Sequence, residues 1–205
     1  AILVKINPSN KLPTASIAIV WRTCAIKKVH DKVASNFSIL TGKIMTQSNG
    51  YKQVETAQQA WANGLIAIGN AYKAGQDYQR VAADMIKTLY GYNQDDGIVL
   101  FKPTKASINP FRPNFDSALS YFVGNDPAFA EDQGFALAPW TNIVFTNHAI
   151  YQHHEMLIAM GQYTFTDTQG RNTLVDYTFG YKKANDGDLK IVLHHSSLPF
   201  NSESK

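Results

Sequence analysis

Four long strand-like runs joined by short turns make up the last third of this sequence. The runs cover residues 140–151, 155–167, 173–183 and 189–197. The turn signals between them are His153-His154, Thr168-Gln169-Gly170 and Asn185-Asp186-Gly187. Because connections this short join antiparallel neighbours, the sequence predicts an antiparallel meander over this region.

Two helices are predicted upstream of the sheet. Apolar residues recur at helical spacing in the first, which ends at Ala74-Gly75: Val54, Ala57, Trp61, Leu65, Ile68 and Tyr72. Asp77 can cap a second helix, whose buried stripe is Val81, Met85 and Leu89. Helices followed by antiparallel strands indicate an α+β fold. We expect a cone-shaped half-barrel, a curved antiparallel sheet with the N-terminal helices packed on its concave face.

The rest of the chain divides around this unit. Residues 1–50 are weakly periodic and are predicted to be an N-terminal extension of uncertain order, whereas residues 51–205 form the cone domain. Residues 98–101 form a short apolar strand that stops at Pro103, which places Thr104 where the strand leaves the sheet. Residues 115–123 form a short helix ending at Gly124, with Tyr121 beside its apolar stripe.

Composition excludes several classes of protein. The net charge is +3 and no block of like charges is present, so the basic stripe of a nucleic-acid-binding protein is missing. Cys24 is the single cysteine, which excludes an intramolecular disulfide and a cysteine-based metal cluster. No apolar run is long enough to span a bilayer. The apolar residues 15–20 are followed by Arg22, and we do not expect a signal peptide.

The last predicted strand carries the most distinctive polar residues. Strict alternation would place Leu189, Ile191, Leu193, His195 and Ser197 on one face, and Lys190, Val192, His194 and Ser196 on the other. The first face is the more apolar, which makes His195 and Ser197 candidates for the floor of a pocket. The alternative is that a histidine and serines at a strand end are surface and turn residues.

A metal site is not expected from the histidine spacing. His194 and His195 are neighbours on a strand and point to opposite faces, and the same holds for His153 and His154. His148, His154 and Glu155 could converge across a turn, but no His-x-x-x-His pair lies on a helix. Catalytic zinc usually requires three protein ligands and an open position, so zinc or manganese is the less favoured reading.

Four segments of the sequence form a distinctive set. They are Val99-Leu100-Phe101-Lys102-Pro103-Thr104, Ala118-Leu119-Ser120-Tyr121-Phe122-Val123-Gly124, Asp176-Tyr177-Thr178-Phe179-Gly180-Tyr181 and Ile191-Val192-Leu193-His194-His195-Ser196-Ser197-Leu198-Pro199. Together they resemble the iota class of carbonic anhydrases. This class is part of a broader group of cone-shaped α+β domains that includes SnoaL-like proteins and the association domain of calmodulin-dependent kinase. The resemblance covers residues 54–200.

The resemblance implies reversible hydration of carbon dioxide to bicarbonate and a proton. It implies a metal-independent enzyme, although at least one member uses manganese. The pocket residues that it implies are Thr104, Tyr121, His195 and Ser197, with His194 and Ser196 as the alternative pair. Histidine would accept or relay the proton of a water held by the hydroxyls. A homodimer is implied as well. Relatives include periplasmic or exported members and plastid-targeted ones, and this chain has no clear targeting segment.

Two other functions belong to the same group of folds. One is a small-molecule isomerase of the SnoaL kind, which would need a deeper pocket and often a carboxylate base. The other is a noncatalytic association domain, which would use an exposed apolar sheet face to oligomerise.

Overall fold

The computed structural model describes residues 49–94 and 97–201. Residues 1–48 of the predicted N-terminal extension therefore lie outside the described residues, and only its last two residues are included. Within the described part, no helix combines the length and apolar character that a membrane span requires.

Three α-helices are described. Helix α1 covers residues 49–73, α2 covers Tyr78–Leu89, and α3 covers Phe115–Val123. Asp77 caps α2 as predicted, its carboxylate accepting from the backbone N–H of Arg80 at 3.0 Å. Asn114 caps α3 in a capping box with Ser117. Three short 3₁₀ helices also occur, at Gly91–Asn93, Pro127–Phe129 and Phe135–Leu137.

The sheet contains five strands in the order β1-β5-β4-β3-β2. The strands are β1 (Leu100–Lys102), β2 (Trp140–His153), β3 (Met156–Asp167), β4 (Asn172–Lys183) and β5 (Leu189–Ser197). Strands β2 to β5 form the predicted antiparallel meander. Strand β1 pairs with β5 in parallel, so the sheet is mixed and not wholly antiparallel as predicted, because β1 joins the meander through a long-range contact and not through a short turn. The predicted α+β class is confirmed.

The core lies between α1 and the inner face of the sheet. Trp61 of α1 contacts the rings of Phe145 and Phe179, with centroid distances of 5.9 and 5.8 Å. Leu65 and Ile68 from the same predicted stripe are fully buried. Tyr72 at the end of the stripe is about half exposed (48%), so the buried face stops one turn earlier than predicted. Aromatic surface thus supplies much of the buried apolar area.

A β-bulge in β5 decides which side chains face the core. Gly180 pairs with Leu193 and Tyr181 pairs with Ile191, so Val192 is an extra residue with no partner on β4. A shift of one residue moves every later side chain to the opposite face. Glycine is suited to position 180, because a Cβ there would lie 2.9 Å from the Cβ of Leu193. Residues 194 and 196 consequently share the inner face.

Candidate active site

The structure places the two histidine–serine pairs of β5 on opposite faces. His194 and Ser196 are buried, with exposed fractions of 2% and 4%. His195 is exposed and, with Ser197, lines an open cleft on the outer face of the sheet. The predicted orientation of His195 and Ser197 toward the interior is therefore wrong, because strict alternation did not allow for the bulge at Val192. The alternative pair faces inward.

Thr104 joins this inner face through a hydroxyl contact. It lies two residues after the end of β1, as predicted, and is half-buried. Its Oγ1 donates to Oγ of Ser196 at 2.9 Å. The Ser196 hydroxyl also hydrogen-bonds to the phenol of Tyr163 on β3. Three hydroxyls from three strands or their ends are thus connected in one chain.

Tyr121 reaches the same region from α3. Its ring is buried and lies 5.8 Å from that of Phe101. Burial raises the pKa of its hydroxyl, and the backbone N–H of Lys105, which bonds to the phenol oxygen, lowers the pKa in part. The phenol is therefore neutral at physiological pH and has a hydrogen to donate. Tyr121 and Lys105 also line a cleft of about 430 Å³, so this tyrosine lies between the interior and solvent.

His194 lies within a cage of aromatic rings. Its imidazole stacks on Phe101 at 4.5 Å and contacts the ring of Phe179 at 4.1 Å. Its Nδ1 lies 2.9 Å from the hydroxyl of Tyr90, to which the indole N–H of Trp61 donates at 2.9 Å. Burial, with a smaller effect from the neighbouring His195, holds the pKa of His194 well below its usual value. His194 is therefore neutral at pH 7.

We refer to Thr104, Tyr121, His194 and Ser196 as the inner cluster. Two of its four members match the predicted set directly, and the other two are the alternative pair. Tyr90 and Tyr163 contact the cluster and were not recognised from the sequence. The sequence pattern could have indicated Tyr163, because it lies two residues before Phe165 and therefore shares the buried face of β3. Tyr90 follows the end of a helix and has no such pattern.

A buried ion pair anchors α3 beside the cluster. Arg112 Nη2 and Asp132 Oδ1 are 2.6 Å apart, and neither side chain is exposed. The hydroxyl of Ser120 donates to the other carboxylate oxygen of Asp132 at 2.7 Å. The backbone N–H of Arg112 donates to the carbonyl of Phe101 at 2.8 Å. The pair therefore links α3 to the strand that precedes Thr104.

Glu131, which directly precedes Asp132, holds the loop after Thr104 from the solvent side. Glu131 is exposed and accepts hydrogen bonds from the backbone N–H groups of Asn109, Ser107 and Ile108, at 2.7, 2.7 and 3.0 Å. These bonds, led by the one from Asn109, lower the pKa of Glu131 to about 2. The loop is thus fixed at neutral pH.

The polar groups of the inner cluster are three hydroxyls and one imidazole. No group of three or more His, Cys, Asp or Glu side chains able to hold a metal ion occurs among residues 49–94 and 97–201. His153 is the last residue of β2 and His154 lies in the turn that follows; both are exposed, and their rings are 4.2 Å apart. Hydroxyls and a neutral imidazole can orient a water molecule and donate to developing negative charge.

Comparisons with known proteins agree with this arrangement. The family model described as metal-independent carbonic anhydrase matches residues 52–198. A metal-independent carbonic anhydrase of Nostoc sp. (strain PCC 7120) is 40% identical over 189 residues, which cover 91% of this chain and 90% of the relative. The crystal structure of an iota-carbonic anhydrase from a cyanobacterium, complexed with bicarbonate, is 42% identical with a TM-score of 0.71. It covers 74% of this chain and 93% of that one.

These matches confirm three predictions: the resemblance to the iota class, carbonic anhydrase activity, and independence from a metal. They favour neither a SnoaL-like isomerase nor a noncatalytic association domain. The roles of the individual cluster residues and the homodimer stay predictions. Over most of its length, the chain belongs to the metal-independent, iota class of carbonic anhydrases.

Proposed function

We propose that the inner cluster is the place where this carbonic anhydrase hydrates carbon dioxide. The observation that carries the proposal is the inward orientation of His194 and Ser196, with Ser196 hydrogen-bonded to Thr104 at 2.9 Å. His194 and Ser196 thereby share the inner face of β5, and Ser196 is in contact with Thr104. Tyr121, the member of the cluster on α3, also lines a cleft that opens to solvent.

The cluster supplies positioning and hydrogen bonding. The hydroxyls of Thr104 and Ser196 both donate and accept, so they can aim the lone pair of a water molecule at the carbon atom. The rings of Phe101 and Phe179 line this region and suit an apolar substrate. Negative charge grows on the substrate oxygens as the carbon–oxygen bond forms, and buried donors stabilise it. The neutral phenol of Tyr121 is one such donor.

The test is a pair of serine variants in a stopped-flow hydration assay with chelator present. We expect Ser196→Ala to lower kcat/KM about 100-fold, the usual effect of removing one group that stabilises developing charge. Ser197→Ala is the matched control, because it removes the same hydroxyl one position away on the outer face. Thr104→Val, which keeps the shape and removes the hydroxyl, should resemble Ser196→Ala. Loss of activity in Ser197→Ala alone would contradict the proposal.

We also propose that the chain forms a homodimer through the outer face of its sheet. Several large apolar side chains on this face are at least 39% exposed: Val144, Ile158, Met160 and Leu174. Exposed apolar area of this kind marks protein–protein contact surfaces. Light scattering should give a dimer for the parent chain and a monomer for Met160→Lys. Ile108→Lys, at an exposed loop position, is the control. A monomeric parent chain would refute the proposal.

A further inference from the structure

His194 is held at one ring nitrogen, while the other has no partner. Nδ1 lies 2.9 Å from the Tyr90 hydroxyl. Nε2 is buried and has no hydrogen-bond partner within the described part of the chain. Stacking on Phe101 and contact with Phe179 fix the plane of the ring. The two nitrogens therefore have different environments, and the position of the proton determines what His194 can do.

The hydrogen-bond inventory of Tyr90 assigns that proton. The indole N–H of Trp61 can only donate, and it donates to the Tyr90 hydroxyl oxygen at 2.9 Å. Tyr90 keeps one hydrogen to give, and the remaining partner that the described residues offer is Nδ1 of His194. An Nδ1 that accepts a hydrogen bond is unprotonated. A neutral imidazole then carries its hydrogen on Nε2.

The opposite tautomer would leave more groups unmatched. With its hydrogen on Nδ1, His194 would donate to Tyr90, and the fully buried Tyr90 hydroxyl hydrogen would lack an acceptor. The lone pair on Nε2 would be unmatched too. The first tautomer leaves a single unmatched group, the Nε2–H. The doubly protonated cation is disfavoured because burial lowers the pKa of His194.

We propose that Trp61 and Tyr90 hold His194 in the neutral form protonated on Nε2, so that His194 donates a hydrogen bond to a substrate oxygen instead of accepting the proton of the attacking water. This inference rests on the site proposed above. Trp61 and Tyr90 are positioning residues, since they act through His194.

The reaction balances without a histidine base. The water oxygen bonds to carbon, and one carbon–oxygen π pair moves onto the substrate oxygen, where the Nε2–H stabilises it. One proton of the water passes to solvent water or buffer. The hydroxyls of Ser196 and Thr104 can relay it once they rotate so that Ser196 donates to Thr104, the reverse of the direction in the resting structure. His194 keeps its own proton, and bicarbonate leaves.

The direct test is ¹⁵N NMR of the full chain carrying ¹⁵N-labelled histidine, with the His194 signals assigned by their loss in His194→Gln. We expect an unprotonated Nδ1 and a protonated Nε2, unchanged between about pH 8 and about pH 6. In Tyr90→Phe, which keeps the ring and removes the hydroxyl, we expect the proton to shift toward Nδ1. A protonated Nδ1 in the parent chain would overturn the inference, even if Tyr90→Phe did not fold.

Kinetics separate a donor from a base at the same position. Glutamine can present an amide N–H close to the position of Nε2 but does not accept a proton at neutral pH. We expect His194→Ala to lower kcat about 100-fold and His194→Gln to stay within about tenfold of the parent chain. Equal losses in both variants would indicate a base and overturn the inference.

The two proposals fail in different ways. If His194→Ala and Ser196→Ala lose activity but Nδ1 carries the proton, the site stands and the donor role is wrong. If both variants keep full activity, the site is wrong and the donor role falls with it.

Discussion

The two faces of β5 carry the same residue types and have different properties. His194 and Ser196 lie inside, next to Phe101 and Thr104, whereas His195 and Ser197 line the open outer cleft. Burial lowers the pKa of His194 and deprives its Nε2 of a partner. The chemistry of each pair is thus set by the bulge at Val192, which decides the face, and not by residue type.

Glu131 and Asp132 are a second pair of neighbouring residues of similar type, of which one lies on the solvent side and the other is buried. Asp132 is buried and bonded to Arg112 and Ser120. Glu131 is exposed and holds backbone N–H groups of the loop at residues 107–109. One carboxylate anchors α3 from the inside, and the other fixes the loop from the outside.

The largest effect on stability is expected at the buried carboxylate. Asp132→Ala leaves Arg112 buried without its partner, which should lower the free energy of unfolding by about 3–5 kcal/mol. Denaturant titration measures this change. Glu131→Ala is the matched control and should have a smaller effect, because its side chain is in solvent. Equal effects in the two variants would show that burial of the ion pair contributes little.

A smaller loss is expected where the bulge meets β4. In Gly180→Ala, the new Cβ would lie 2.9 Å from the Cβ of Leu193, so the bulge must shift. We expect a loss of about 1–3 kcal/mol in the free energy of unfolding. We also expect reduced hydration activity, because the displaced Leu193 is directly followed by His194. Thr178→Ala, two residues earlier on β4, is the control. Unchanged stability and activity in Gly180→Ala would show that the bulge tolerates a side chain.

The buried His194 should also couple the stability of the fold to pH. The pKa of His194 is lowered in the folded chain, so below about pH 6.5 the unfolded chain binds the extra proton. As the pH is lowered below this value, the free energy of unfolding should decrease, by at most about 1.4 kcal/mol per pH unit for this residue.

Unfolding curves between about pH 7.5 and about pH 5.5 avoid most carboxylate titration. His194→Gln, which removes the buried titratable ring, should flatten the dependence. An unchanged dependence in His194→Gln would contradict this prediction.

The smallest effect is expected from metal removal. Because the inner cluster consists of hydroxyls and one imidazole bonded to Tyr90, prolonged dialysis against a chelator should leave kcat/KM unchanged. The stopped-flow assay before and after dialysis measures this. Loss of activity that a divalent ion restores would contradict the account.

The hydrophobic pattern predicted most of the fold, because periodicity is a local property. The four long strands fall within two residues of their predicted bounds, and α1 buries the expected stripe around Trp61. The residues that the resemblance implied on loops and helices, Thr104 and Tyr121, needed no register and lie where they were expected. The parallel pairing of β1 with β5 is a long-range contact that no local pattern encodes.

The inward-facing pair of β5 was assigned to His195 and Ser197, with His194 and Ser196 as the alternative, and a long-range contact explains why the structure turns the alternative pair inward. The bulge at Val192 depends on Gly180 of the neighbouring strand, so alternation along β5 could not reveal it. Tyr90 meets His194 across 104 positions of sequence. Its role depends on a hydrogen bond that only the folded chain brings together.

A crystal structure of this chain with bicarbonate tests the central claim most directly. We predict that bicarbonate binds within hydrogen-bond distance of Nε2 of His194 and the hydroxyl of Ser196, on the inner face of the sheet. Bicarbonate bound only on the outer face, beside His195 and Ser197, would contradict it.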